Sequence, residues 1–164
     1  MRLMAWAAGA VMLADQASKA AVLYLLDLPA RQTIEVAPPW FALRMAWNQG
    51  VNFGLFANDA GVMRWLLVAL AVAIVGWVWW WVTRAPERRI VQGSAGLLIG
   101  GALGNVIDRL AYGAVADFIN VGAPGIANPW SFNVADVAIF AGALGLVVFA
   151  GTGQKPRDER KELR

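Results

Sequence analysis

Two aspartates, Asp117 and Asp136, are the residues of this chain best suited to do chemistry. The chain has no histidine and no cysteine. That removes thiol nucleophiles, Ser-His-Asp triads and Cys/His zinc sites. Proton transfer and activation of a nucleophile must then fall to Asp, Glu, Lys, Ser, Thr, Tyr or backbone groups. Both aspartates lie in a polar stretch from Gly104 to Asp136, set between two strongly apolar segments. Ionisable groups at a membrane boundary are costly, so they mark function by default. Two carboxylates held together in a low-dielectric site cannot both ionise easily. One then keeps a proton and acts as acid on a carbonyl oxygen, while the other activates a water. Such a pair titrates as a unit, so residue type does not tell which aspartate holds the proton. Spacing alone does not bring the two together either; their meeting is an expectation placed on the fold.

Other polar residues fall at helical spacings around this pair. Asn105, Asp108 and Arg109 stand at i, i+3 and i+4 near the end of one apolar segment, and Asn133 and Asp136 stand at i and i+3 at the start of the next. Asp108 and Arg109 are expected to lock the connecting loop to the helices through charge-assisted hydrogen bonds; the amides of Asn105 and Asn133 could serve the same end. Asp15 and Lys19 stand at i and i+4, on one face of the first segment. They read either as a structural ion pair that orients that helix or as a contact to substrate or the catalytic loop.

The elements that must position these groups are apolar. Of the 164 residues, 59% are hydrophobic, against about 45–50% in soluble domains, and the excess is gathered into long runs that point to an integral membrane protein. The expected architecture is an all-α membrane protein with four transmembrane helices, over about 3–26, 62–82, 90–110 and 132–150, and a small extracytoplasmic β-sheet region between the first two. Residues 1–152 form one domain and 153–164 a charged tail. Residues 27–61 are too polar to span; their two strand-like stretches, 31–36 and 40–44, are separated by Pro38-Pro39, and turn signals follow at Asn48-Gln49-Gly50. Residues 111–131 read as a loop that carries Asp117, with Gly113, Gly122 and Gly125 suiting a lid. Gly96, Gly100 and Gly104, spaced by four, form a small-residue stripe for close helix approach. Trp65 and the cluster Trp77, Trp79, Trp80 and Trp81 read as interfacial belts.

The net charge is +3, and its distribution speaks for topology rather than nucleic acid. Arg2, Arg84, Arg88, Arg89 and the basic tail fall on one side if four helices cross. By the positive-inside rule both termini are cytoplasmic and the polar site faces outward.

At these residues the chain resembles a known family. Asp15-x-x-x-Lys19, Asn48-x-Gly50-x-x-Phe53-Gly54, Gly104-Asn105-x-x-Asp108-Arg109, Val115-x-Asp117-Phe118 and Phe132-Asn133-x-Ala135-Asp136 look like the ordered motifs of bacterial lipoprotein signal peptidase, signal peptidase II. Each motif alone is weak; the five in order span nearly the whole chain. The resemblance implies an aspartyl endopeptidase of the bacterial cytoplasmic membrane. It would remove signal peptides from prolipoproteins, cutting just before the diacylglyceryl-modified cysteine. Asp117 and Asp136 match the catalytic dyad. Asp15, Lys19, Asn48, Gly50, Asn105, Asp108, Arg109 and Asn133 match positions that bind substrate or support the site. The resemblance implies no metal or organic cofactor. The expected partners are diacylated prolipoproteins and membrane lipid, with globomycin as an inhibitor, no nucleic acid, and a monomer.

Three other readings follow from the same residues. Asp108, Gly113, Asp117 and Asp136 could hold Mg²⁺ for phosphoalcohol transfer. Ser131 could meet Lys19 as a Ser–Lys protease. Asp15, Lys19 and the aspartates could form the relay of a small proton or ion carrier.

Overall fold

A computed structural model describes residues 1–50, 60–84, 88–125 and 128–149. The elements in chain order are α1 (Arg2–Ala20), which runs on through a wider π turn at Ala21–Leu25, the short α2 (Leu28–Arg31), β1 (Thr33–Ala37), β2 (Phe41–Asn48), α3 (Ala60–Arg84), α4 (Arg89–Tyr112), β3 (Val115–Val121) and α5 (Val134–Phe149). The expected apolar segments are all helical, with ends that differ by a few residues. Among the described residues, Gly61–Arg84 and Arg89–Tyr112 are long and apolar enough to cross a membrane, and Val134–Phe149 is apolar but shorter.

Helix α4 is the centre, packed by α1, α3 and α5. Its small residues explain why. A methyl group added at Gly96 would stand 2.6 Å from the Met4 carbonyl oxygen, and Gly100 is equally closed by Ala8 and Val11. The stripe at 96, 100 and 104 is the seam on which α1 lies. Gly101, on another face, abuts the backbone of Ala135, while Gly142 and Gly145 of α5 close on Ser94 and Leu98. The core between these helices is built from Met4, Val78, Val82, Val91, Ala95 and Ile99. Much of α3 turns outward, with Trp65, Leu66, Leu70, Val72 and Trp77 exposed. An apolar helix with this surface belongs in lipid. Trp77 stacks on Trp81, and the Arg84 guanidinium lies over Trp80.

The second core sits under the sheet and joins Val22, Leu23 and Leu28 to Met45, Ala116 and Phe118. The sheet differs from expectation. It has three antiparallel strands in the order β1-β2-β3, and the third comes from the stretch read as a loop. Its register sets Ala42 opposite Asn120, Ala46 opposite Asp117 and Asn48 opposite Val115, with an irregularity between Leu43 and Ala46. Asp117 therefore rides on a paired strand rather than a lid. The pattern was hidden because Val115, Ala116, Asp117 and Phe118 are all buried, and a strand covered on both faces loses its two-residue alternation. Beyond β3, Phe132 takes a strand's place for one residue: its amide donates to the Ile119 carbonyl (3.0 Å) and its carbonyl accepts from the Ile119 amide (2.8 Å). This bridge delivers the next residue, Asn133, to the side of Asp117.

Candidate active site

Helix α5 begins with a capping box. The Asn133 side-chain oxygen accepts from the Asp136 amide (2.8 Å), and the Asp136 Oδ2 accepts from the Asn133 amide (3.3 Å). Each satisfies an amide that a helix start leaves without a partner. The box fixes Asp136 in the first turn, and its other oxygen, Oδ1, accepts from Asn105 Nδ2 at 2.8 Å.

Asp117 is held from two sides. Asn133 Nδ2 donates to its Oδ1 at 2.6 Å, and Asn48 Nδ2 donates to its Oδ2 at 3.1 Å. Asn48 is aimed by its own turn, since its Oδ1 accepts the Gly50 amide at 2.9 Å. Gly50 has φ 105, and a methyl group there would stand 2.6 Å from Leu67 Cδ1 of α3. Both the backbone angle and the lack of space call for glycine. Asn133 thus touches both aspartates, and its Nδ2 also reaches Asn105 Oδ1 (3.2 Å). Burial pushes the Asp117 carboxyl up to about 6, helped by the charge of Asp136; hydrogen bonds from Asn48 and Asn133 and the charge of Lys19 act the other way. A carboxyl that keeps its proton toward neutral pH, beside a second carboxylate, can perform general acid–base chemistry on a water and a carbonyl.

Behind this pair lies a buried charge cluster. Lys19 Nζ sits 2.8 Å from Asp15 Oδ2 and 2.7 Å from Asp108 Oδ2, and donates to Asn105 Oδ1 at 3.2 Å. All four side chains are buried. Asp15 Oδ1 accepts the Ala135 amide (2.9 Å), and Asp108 Oδ2 accepts the Ala116 amide (3.1 Å). The i, i+4 pairing of Asp15 and Lys19 is present, and Asp108, through the Ala116 amide, ties the segment after α4 to the helices as expected. Its carboxylate turns to Lys19 and not to Arg109, because neighbours in a helix point to different sides. Arg109 instead donates Nη1 to the Asn105 carbonyl at 3.3 Å. It stands half-exposed at the head of a groove of about 350 Å³, lined by Leu67, Leu70, Ile74, Ala102, Asn105 and Ile139.

Gln16 went unnoticed in the sequence. Its Nε2 donates to Asp15 Oδ2 (3.1 Å), Asp108 Oδ1 (3.0 Å) and the Gly104 carbonyl (3.2 Å), so it caps the cluster from α1. The available signal was a third polar residue in an apolar helix. Phe53 and Gly54 of the second motif, and the basic tail, lie outside the described residues.

Two rival arrangements are not assembled. Ser131 Oγ donates to the Arg44 carbonyl at 3.1 Å, while Lys19 is wholly engaged by acids and Asn105. Asp108, needed for the Mg²⁺ reading, has its oxygens committed to Lys19, Gln16 and the Ala116 amide.

Comparison with known proteins agrees with the motifs. Residues 7–151 match the family model described as signal peptidase (SPase) II. A protein named lipoprotein signal peptidase from Methylobacterium sp. (strain 4-46) is 47% identical over 144 residues, covering 86% of this chain and 84% of its own. One of the same name from Pseudoalteromonas translucida is 35% identical, covering 94% and 92%. A bacterial membrane enzyme solved by the in meso method superposes with a TM-score of 0.78 over 94% of this chain and 96% of that one, at 22% sequence identity, and so shares the fold. With a family match over most of its length and relatives of this identity, the chain belongs to the signal peptidase II family.

Proposed function

We propose that this chain is a membrane aspartyl endopeptidase that removes the signal peptide from diacylglyceryl-modified prolipoproteins, cutting on the N-terminal side of the lipid-modified cysteine. The observation that carries the reading is the placement of Asp117 and Asp136 on either side of Asn133, one from a strand and one from a helix start. Asp117 acts as the acid, because burial raises its carboxyl to about 6. Asp136, half-buried where Asp117 is buried, acts as the base toward water. Water attacks the scissile carbonyl carbon as Asp136 takes its proton, and Asp117 protonates the carbonyl oxygen. Asp136 then gives that proton to the amide nitrogen as Asp117 takes one back from a hydroxyl of the intermediate; the C–N bond breaks, leaving a carboxyl end on the signal peptide and the new amino terminus on the cysteine.

The substrate class agrees with the surroundings. The groove below Arg109 is apolar along α3, α4 and α5 and ends at Asn105, which binds Asp136. It suits the apolar part of a signal segment or acyl chain, with Arg109 and Asn105 meeting the peptide backbone where the lipid ends. Four helices, α1, α3, α4 and α5, cross the bacterial inner membrane with both termini cytoplasmic, and the sheet lies on the extracytoplasmic face. Globomycin is the expected inhibitor; one chain without a cofactor suffices.

The test is cleavage of a purified diacylated prolipoprotein by wild type and by Asp117→Asn and Asp136→Asn, with EDTA present. Cleavage by wild type that either substitution removes is expected. Loss of wild-type activity in EDTA, or near-normal activity in either variant, would overturn the dyad.

A further inference from the structure

The charge cluster has a symmetry that a generic structural ion pair does not require. Asp15 holds the amide of Ala135, the residue directly before Asp136 (2.9 Å), and Asp108 holds the amide of Ala116, the residue directly before Asp117 (3.1 Å). One ammonium stands between these two carboxylates, at 2.8 and 2.7 Å. Its third donor goes to Asn105 Oδ1, which fixes the amide so that Nδ2 points to Asp136.

We propose that Lys19 is a positioning residue that sets the separation and alignment of Asp117 and Asp136, by holding together the two acids that each grip the chain one residue before a dyad member. This rests on the reading of Asp117 and Asp136 as the dyad. Strand β3 and helix α5 come from different parts of the chain and are joined beside the site by the Phe132 bridge and Asn133. The Lys19 cluster adds a second tie at the opposite side, so the two carboxylates are fixed between two supports. A compact ammonium suits this because its three donors can point to three acceptors; a planar guanidinium cannot reproduce that fan.

The charges that act on the Asp117 carboxyl come from Asp136 of α5 and Lys19 of α1, Arg109 of α4 feels the charge of Asp117, and Asp15 and Asp108 flank Lys19; β2 offers the amide of Asn48 and Asn133, at the start of α5, offers its own. The charge of Lys19 adds to the hydrogen bonds from Asn48 and Asn133 in holding the Asp117 carboxyl down against burial. Its removal therefore changes proton affinity as well as geometry, which separates positioning from mere stability.

The experiment uses the full-length protein in detergent with a diacylated prolipoprotein, and compares wild type, Lys19→Met, Asp108→Asn, Asp117→Asn and Val91→Ala. Val91 is buried in the helix core away from the site, and its truncation serves as a destabilised control. Lys19→Met is expected to lower kcat about 100-fold, the cost of a misplacement near 1 Å. KM should stay within about threefold, and the alkaline limb of the pH profile should move upward. Asp108→Asn should lower kcat about tenfold, again with KM kept. Val91→Ala should lose thermal stability and keep the wild-type kcat and pH profile. Wild-type kcat and pH profile in Lys19→Met would overturn the proposal, as would a kcat loss in Val91→Ala as large as that in Lys19→Met. If Lys19→Met does not fold, Asp108→Asn decides: a wild-type kcat there overturns it. Full activity in Asp117→Asn would overturn the dyad and this proposal together, whereas an inactive Asp117→Asn beside a normal Lys19→Met would overturn the positioning role alone.

Discussion

The side-chain amide of Asn133 donates to Asp117 Oδ1 at 2.6 Å. The same side chain caps the helix that carries Asp136, through its oxygen and the Asp136 amide. One residue thus joins a strand to a helix start and sets both candidate carboxylates. Replacing Asn133 by Ala should reduce kcat about 100-fold through lost alignment and lower stability by about 1 kcal/mol through the lost cap. Steady-state kinetics beside a thermal melt would check both. A variant with the stability loss alone would show that alignment survives without the bridge.

Asp117→Asn and Asp136→Asn should each reduce cleavage by about 1,000-fold or more, since each removes a group that must give or take a proton. Circular dichroism and gel filtration should show both variants folded. Asn in either place is close in size, and the neighbouring amides can turn to meet it.

The raised Asp117 carboxyl gives a pH dependence of definite sign. Its protonated form is the acid, so kcat/KM should fall as pH rises through about 6. Stability follows by linkage: the folded carboxyl titrates above the ordinary 3.8, toward about 6. The contribution of Asp117 is fully present below about 3.8 and is lost as pH rises through about 6. Asparagine has no such proton. The melting temperature of Asp117→Asn, less that of wild type, should therefore be larger at about pH 7.5 than at about pH 4.5. A difference independent of pH would remove the assignment of the acid.

Gly104 leaves room for the charge cluster. A methyl group there would stand 2.5 Å from Asp15 Oδ2, so Gly104→Ala must displace the carboxylate that holds the Ala135 amide. A cost of about 1–3 kcal/mol is expected from overpacking, together with a loss of kcat, measured by melting and by turnover. Gly9, with no atom near its position, is the control: Gly9→Ala should leave turnover unchanged.

The groove below Arg109 can be filled from its wall. Ala71→Phe, on α3, should raise KM about tenfold for a substrate with a full apolar signal segment and leave kcat near its normal value, as loss of uniform binding does. An unchanged KM would place the signal segment elsewhere.

How much of this was legible in the sequence depends on the range of the interaction. The helices were legible because apolar runs of this length have few other uses, and Asp15 with Lys19 because i and i+4 share a face. The Gly96–Gly100–Gly104 stripe announced a close neighbour, though not that the neighbour would be α1. Asp108 was legible as a lock on the segment that follows α4, but its cation was not: Lys19 comes from α1, far along the chain, while the helical turn sends Arg109 to the groove. Strand β3 was missed because an aspartate and an asparagine within seven residues, followed by glycine and proline, look like a loop; only the pairing with β2 makes it a strand. Gln16 was missed because its three partners include residues from α4, far along the chain.

Helix α1 leads the chain, yet among the described residues it is not one of those long and apolar enough to cross a membrane by composition. Its lysine finds Asn105 only 86 residues later, and Asp108 later still. Within α1 that lysine has the Asp15 carboxylate one helical turn before it. Only the arrival of α4 gives that pair a dry, matched seat. A chain cut before α4 would leave Lys19 with the Asp15 carboxylate and without Asn105 and Asp108. The tie between the first helix and the candidate site is thus one that only the later part of the chain can close.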